Sequence, residues 1–255
     1  MTMRVRRILW RLWFPITLIA LWQILLSHST NPFFPPPRKI LESARFVVTP
    51  EWISSSVRSS LTTLVLGYFI GSALGIVFGA IIGSNESLRE IFTPITNFIR
   101  SIPSVAKIPI IIAILGIGTA TRICAIAVAV LFPVLMATMR AIATTDVALV
   151  EFSQLASYSR LRTLLTVRLP AATGEILAGL HAAVQVAVLV MVVSEMLGSS
   201  IGIGAFIIHS QSSFMIADMW VGILVIGVIG ITLNELFLIA ERRIAPWYFI
   251  SKEIQ

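Results

Sequence analysis

Arg100 and Lys107 stand seven residues apart in an otherwise apolar stretch, and no carboxylate sits in that stretch to neutralise them. With Thr93, Thr96, Asn97 and Ser104 they fall on one face if helical phase continues through Pro103, the point at which a helix can kink. Cations in hydrocarbon cost several kcal/mol when unpaired. Either Glu195 or another helix supplies the counter-charge, or the two groups face water and meet an anion. A second stripe joins His181, Gln185, Val188, Val192 and Glu195 at steps of 4, 3, 4 and 3. These steps hold its three polar groups within about 40° of a common line over about 21 Å. Two such faces can line a water-accessible path for a solute, or can satisfy one another and a partner subunit as buried hydrogen-bonded groups. Depth counted at about 1.5 Å per residue sets Lys107 nearer Gln185 than Glu195, which argues against a direct Lys107–Glu195 ion pair.

Other chemistry finds little support. His28, His181 and His209 are far apart, and none has a carboxylate or cysteine at metal-ligand spacing. No metal site is expected, and no nucleophile and base can be paired. Cys124, the one cysteine, excludes an internal disulfide.

The elements that carry these groups belong in a bilayer. With 57% hydrophobic and only 12% charged residues, the chain has too much apolar surface for a water-soluble domain. A net charge of +7 raises the question of nucleic acid, yet the basic residues cluster beside apolar spans and form no stripe with interleaved aromatics. Apolar runs long enough to cross about 30 Å of hydrocarbon predict an all-α, polytopic chain. Its six helices fall at about 8–27, 58–83, 91–116, 120–140, 171–198 and 217–240, within a single transmembrane domain over 1–255. The first is read as a membrane helix rather than a signal peptide, because its apolar run is long, carries Arg11 and lacks a small-residue cleavage site. Residues 40–48 suit a short amphipathic surface helix after Pro35-Pro36-Pro37.

Lys and Arg set the orientation. One side collects Arg4, Arg6, Arg7, Arg11, Arg89, Arg140, Arg160, Arg162, Arg168, Arg242, Arg243 and Lys252; the other holds Arg38, Lys39, Arg45, Arg58 and Arg122. Both termini and the loop at about 141–170 are therefore expected in the cytoplasm. In the second helix Gly67, Gly71, Gly75, Gly79 and Gly83 recur every four residues. Each step advances about 40° beyond a full turn, tracing a groove that lets a neighbouring helix approach closely.

The 141–170 loop holds the one sizeable polar, basic segment between apolar spans, from Glu151 through Ser157-Tyr158-Ser159-Arg160-Leu161-Arg162 to Arg168-Leu169-Pro170. It resembles the coupling loop of ABC-importer permeases, in which Glu-Ala-Ala is followed by Gly six residues after the Glu and closed by Leu-Pro. Glu151 and Leu169-Pro170 match, whereas Phe152, Ser153 and Ser157 replace Ala, Ala and Gly. Phe98-Ile99-Arg100-Ser101-Ile102-Pro103, Leu115-Gly116-Ile117-Gly118, Ser194-Glu195-Met196-Leu197-Gly198, Ile201-Gly202-Ile203-Gly204, the 222–227 stretch and Glu241-Arg242-Arg243 with Trp247 extend the likeness. Together they resemble permeases of the taurine, alkanesulfonate and nitrate group.

That resemblance implies a permease of type I ABC-importer architecture in the inner membrane, without catalysis of its own. ATP and Mg would be bound by separate ATPase subunits, and an extracytoplasmic binding protein would deliver a small, anionic solute such as a sulfonate, nitrate, bicarbonate or aromatic carboxylate. The coupling loop would fold as two short helices meeting at the Gly position and dock on the ATPase. Glu151 would begin the first helix, with Ser157, Tyr158, Arg160, Arg162, Leu169 and Pro170 in the docking segment; Arg100, Ser104, Lys107, His181, Gln185 and Glu195 would line the path. Ser157 does not take a positive φ as freely as Gly, which makes the docking surface unusual and favours pairing with a different second permease over a homodimer. A secondary transporter or channel is the alternative, although such folds commonly show paired repeats and none is visible; a membrane enzyme is more remote.

Overall fold

The computed structural model describes residues 2–27 and 31–246, with side chains from Trp13 onward. His28, Trp247, Lys252 and the side chains of Arg4, Arg6, Arg7 and Arg11 lie outside the described residues. In chain order the helices are α1 (Thr2–Leu26), α2 (Pro37–Val47), α3 (Pro50–Trp52), α4 (Arg58–Ser84), α5 (Glu86–Ser101), α6 (Ile108–Leu115), α7 (Thr119–Ala143), α8 (Val147–Leu155), α9 (Arg160–Thr163), α10 (Leu169–Gly198), α11 (Ile203–Ser212) and α12 (Ile216–Ile244). A π turn, Ile53–Val57, joins α3 to α4; a second, Leu164–Arg168, joins α9 to α10; a 3₁₀ turn, Ser104–Lys107, precedes α6. No strand occurs among the described residues.

Caps follow ordinary chemistry. Thr49, Asn85, Asp146 and Ser159 each accept a hydrogen bond from a backbone N–H in the first turn of the helix they precede. Pro37 begins α2, where its missing N–H leaves no bond unmade. The amphipathic surface helix is thus longer at its start than the expected 40–48. It is fastened to α12 by a Ser43–Asp218 hydrogen bond, while Trp220 of α12 donates from Nε1 to Phe33 O at 3.2 Å.

Four continuous helical stretches are long and apolar enough to span a membrane: Pro50–Ser84, Thr119–Ala143, Arg160–Gly198 and Ile216–Ile244. The span expected at 91–116 is different. Glu86–Ser101 and Ser104–Leu115 are bent by 90° about Ile102–Pro103. Ile102 is extended, as a residue before proline prefers, so α5 ends there and helical phase does not pass through. The single polar face from Thr93 to Lys107 is accordingly broken. The stretch after the fifth span also holds the short helix α11, which the apolar run lengths did not indicate.

The closest helix pairing joins α4 to α7. At Gly67 an added Cβ would lie 2.7 Å from Ile126 Cβ, at Gly75 2.8 Å from Val134 Cβ, at Gly79 2.7 Å from Leu135 O, and at Gly83 2.6 Å from Met139 O. Gly71 meets Ala127 O in the same way. The five glycines therefore form one seam along α7, with backbone against backbone. Behind it, Leu64, Ile126, Val130 and Val134 pack with Ala183, Ala187, Val190 and Met191 of α10 and Ile108 of α6 as the main core. Since helix association in lipid rests on packing contacts, a side chain in the seam should separate the pair. Gly75→Val is expected to destabilise the detergent-purified protein by about 1–3 kcal/mol, read as a lowered melting temperature. Gly230→Ala on α12, where nothing lies within 4 Å of the added Cβ, should leave the melt nearly unchanged.

Candidate functional site

The most connected polar group is Glu195, fully buried near the end of α10. Its Oε2 accepts from Ser60 Oγ of α4 and Gly204 N of α11, each at 2.9 Å, and its Oε1 faces Arg122 Nη1 of α7 at 3.4 Å. Arg122 also donates to Ser59 Oγ (3.3 Å), Ile201 O (3.2 Å) and Thr119 Oγ1 (3.1 Å), and Ser60 Oγ accepts from Ile203 N (2.9 Å). Gly202 has φ +128°, and an added Cβ would sit 2.5 Å from the Glu195 carboxyl carbon. The Ile201-Gly202-Ile203-Gly204 motif thereby allows the start of α11 to close over the carboxylate.

This network bears on two expectations. Arg122, counted as a loop charge, is only 7% exposed and lies in the first turn of α7. Glu195, expected to line the path, is buried and bonded to groups of three other helices, α4, α7 and α11. The stripe on α10 is therefore divided by its neighbours. His181 stacks on Phe237 of α12 and pairs through Nε2 with Asn234 Oδ1 at 2.9 Å, its Nδ1 lying 3.9 Å from Glu241; Gln185 is exposed.

Lys107 ends the 3₁₀ turn after the bend and holds its ammonium 5.0 Å from the ring centroid of Phe132 on α7. It forms no ion pair with the described residues. Ser104 begins the same turn, half-buried. Arg100, in the last turn of α5, borders a cavity of about 370 Å³ with Pro133, Arg140, Glu175 and Gly179. Because of the bend, Arg100 and Lys107 do not share one helical face.

In the polar segment, α8 begins after Asp146, whose side chain accepts from Ala148 N at 2.9 Å. Asp146, not Glu151, is the carboxylate at the helix start, because Asp reaches its own following backbone N–H groups readily; Glu151 is exposed in mid-helix. Ser157 has φ +56°. Tyr158 N bonds Ser153 O and Ser157 N bonds Gln154 O, both at 2.9 Å, the paired bonds of a Schellman turn with serine at the usual glycine position. The turn shape is thus retained, at a strain of about 1 kcal/mol. Ser153 Oγ and Thr163 Oγ1, 3.1 Å apart and buried, hold α8 against α9, and the Arg162 guanidinium lies 4.0 Å above the Tyr158 ring. Arg160 and Arg162 are exposed, and Arg168 Nη1 approaches Ser84 O at 3.4 Å. Phe152, Leu155 and Leu161 project from this turn at 71%, 85% and 65% exposure, so its outer face is more apolar than basic. Leu169 packs against the cluster of Ala141, Ile142, Ala172 and Ile176, and Leu169-Pro170 lies inside the continuous helical stretch rather than in a loop.

The family model described as binding-protein-dependent transport system inner membrane component matches residues 71–250. The chain belongs to this family. The permease is 28% identical over 240 residues to the taurine transport system permease protein of Escherichia coli (strain K12), covering 91% of this chain and 87% of the relative. It is 26% identical to a putative aliphatic sulfonates transport permease protein of Bacillus subtilis (strain 168), with 91% and 85% covered. The nitrate import permease protein of Synechocystis sp. (strain ATCC 27184 / PCC 6803 / Kazusa) is 25% identical, with 90% and 86% covered. The fold of the present chain is similar to that of a chain of the MetNI methionine ABC transporter in an inward-facing conformation, at TM-score 0.61 and 20% identity, covering 76% of this chain and 94% of the other. The permease is thus an ABC-importer transport subunit of type I-like architecture and not an enzyme, in place of a secondary transporter, a channel or a membrane enzyme.

Arg122, Ser60, Asp146, Arg140 and Glu175 were not singled out from the sequence. A usable signal existed for Arg122, a charge at the start of an apolar run with an acidic residue buried in another. Removing one member of that buried pair leaves the other uncompensated. Arg122→Leu should destabilise the permease by about 3–5 kcal/mol, and Arg122→Leu with Glu195→Leu should be more stable than Arg122→Leu alone. Chemical denaturation in detergent measures both.

Proposed function

We propose that the permease forms the translocation path for a small anion in an ATP-driven, binding-protein-dependent importer, with Lys107 and Arg100 guiding the anion. The observation that carries this is the state of Lys107. Its ammonium rests on the Phe132 ring without a carboxylate, and Glu195, one of the counter-charges the sequence offered, is engaged by Arg122. A cation retained in this condition at membrane depth is supported by water and by an anionic solute. Relatives named for taurine, aliphatic sulfonate and nitrate transport favour the same chemistry.

The Ser157 turn, with Phe152, Leu155 and Leu161 outermost, is the surface on which the ATPase, carrying ATP and Mg, would dock; Glu151, Tyr158, Arg160 and Arg162 flank it. This segment and both termini are inferred to face the cytoplasm. Arg140, Arg160, Arg162, Arg168, Arg242 and Arg243 gather on that side, and burial of Arg122 removes one cation from the opposing tally. A second permease subunit would complete the path. The ground for an unlike partner is now the strain at Ser157 alone, since the turn itself forms.

Two experiments test these proposals. In reconstituted vesicles with the delivery protein, Lys107→Met should lower anion uptake about tenfold or more, and Lys107→Arg should retain part of it, while copurification with the ATPase is unchanged. Undiminished uptake by Lys107→Met at all solute concentrations would show a structural lysine. For the pairing, expression with the ATPase and delivery protein but no other permease should give no uptake; full uptake would establish a homodimer.

A further inference from the structure

A second polar cavity, of about 360 Å³, lies where the start of α4 meets the start of α7, the end of α7 remote from the Ser157 turn. Ser55, Arg58, Ser59, Thr62 and Thr119 border it, and it contains no carboxylate. Most of its hydroxyls are already used as donors: Ser55 to Trp52 O at 3.3 Å, and Thr62 to Arg58 O at 2.7 Å. Ser59 and Thr119 differ. Each hydroxyl oxygen accepts from Arg122, at 3.3 and 3.1 Å, and neither hydroxyl donates to any described residue. With its oxygen held by a guanidinium, each has its own O–H left to donate. Arg58 stands beside them, exposed, with no side-chain hydrogen bond or ion pair to any described residue.

We propose that Arg58, Ser59 and Thr119 bind an oxyanion at this end of α7. Two hydroxyl donors and one guanidinium, without an opposing carboxylate, match the several acceptor atoms of a sulfonate, nitrate, carboxylate or phosphate group. Arg122 acts here as a positioning residue: its Nη1 and Nη2 orient Ser59 and Thr119, while its charge is met by Glu195 and leaves Arg58 to meet the anion. The site is separate from Lys107. Thr119 and Phe132 are thirteen residues apart on α7, about 20 Å along the helix axis. The oxyanion would be a free solute entering or leaving the path, or the phosphate of a lipid headgroup.

The test uses the permease purified in complex with its ATPase in lipid-depleted detergent, with trifluoromethanesulfonate as the probe and its ¹⁹F line width as the readout. The wild-type complex should broaden the line. Arg58→Gln should weaken binding about tenfold, as loss of a charge-assisted hydrogen bond predicts. Thr119→Val should weaken it severalfold, and Thr119→Ser should restore it. Lys107→Met should leave the Arg58-dependent broadening intact, so failure at either site is seen separately. Competition by ethanesulfonate would identify a free anion as the natural occupant, and competition by phosphatidylglycerol but not by ethanesulfonate would identify a lipid phosphate. Broadening that is unchanged in both Arg58→Gln and Thr119→Val, with normal melting temperatures, would overturn the proposal. So would equal loss in Thr119→Val and Thr119→Ser.

Discussion

A carboxylate and a guanidinium withdrawn from water need hydrogen-bond partners inside the protein, and the pair formed by Glu195 of α10 with Arg122 finds most of them on α4, at the start of α7 and in the turn into α11, leaving only Arg122 Nε without one among the described residues. Breaking such a pair leaves a charge in a medium that cannot solvate it, so the four elements hold their relative positions together. The constraint extends into smaller choices. Gly202 and Gly204 lack side chains where Glu195 needs room, and Ser60 both donates to the carboxylate and accepts from Ile203 N. The same guanidinium sets the two hydroxyls at the remote end of α7, so a structural network and a candidate binding surface share one residue.

The glycine seam does a different task. It brings α4 and α7 together along their length by backbone contact, where the bilayer gives little hydrophobic reason for two apolar helices to associate. Pinned by charge at one end and by close packing throughout, α4 and α7 form a rigid pair. The bent α5–α6 segment then supplies the charged groups beside it, Arg100 before the bend and Lys107 just after.

Apolar run length made the helices near 58–83, 120–140, 171–198 and 217–240 legible, because hydrocarbon thickness imposes a length that composition must meet. Four-residue glycine spacing pointed to a packed groove through the same geometry. What depended on pairing across the chain was hidden. Arg122 looked like a loop charge because nothing near it in sequence announces Glu195, 73 residues away. The end of helical phase at Pro103 could be raised but not decided from one proline, since proline can kink a helix or stop it. At Ser157 the position of the turn was readable from its spacing after Glu151. That serine adopts φ +56° there was not, because local strain is outweighed by the Schellman bonds and the Ser153–Thr163 contact.

Arg160–Gly198 is one continuous 39-residue helix, beginning three residues beyond Ser157 and ending three beyond Glu195. Its uninterrupted part, the 30 residues of α10, is at about 1.5 Å per residue an arm of about 45 Å, so a 5° tilt about one end would displace the other by about 4 Å. The π turn at Leu164–Arg168 sits just before Pro170, whose ring crowds the carbonyl of Thr166, and gives the arm a compliant joint at its base. A displacement at the short side of that joint would be taken up partly as bending there, and the remainder would reach the buried charges at the far end as a tilt of α10.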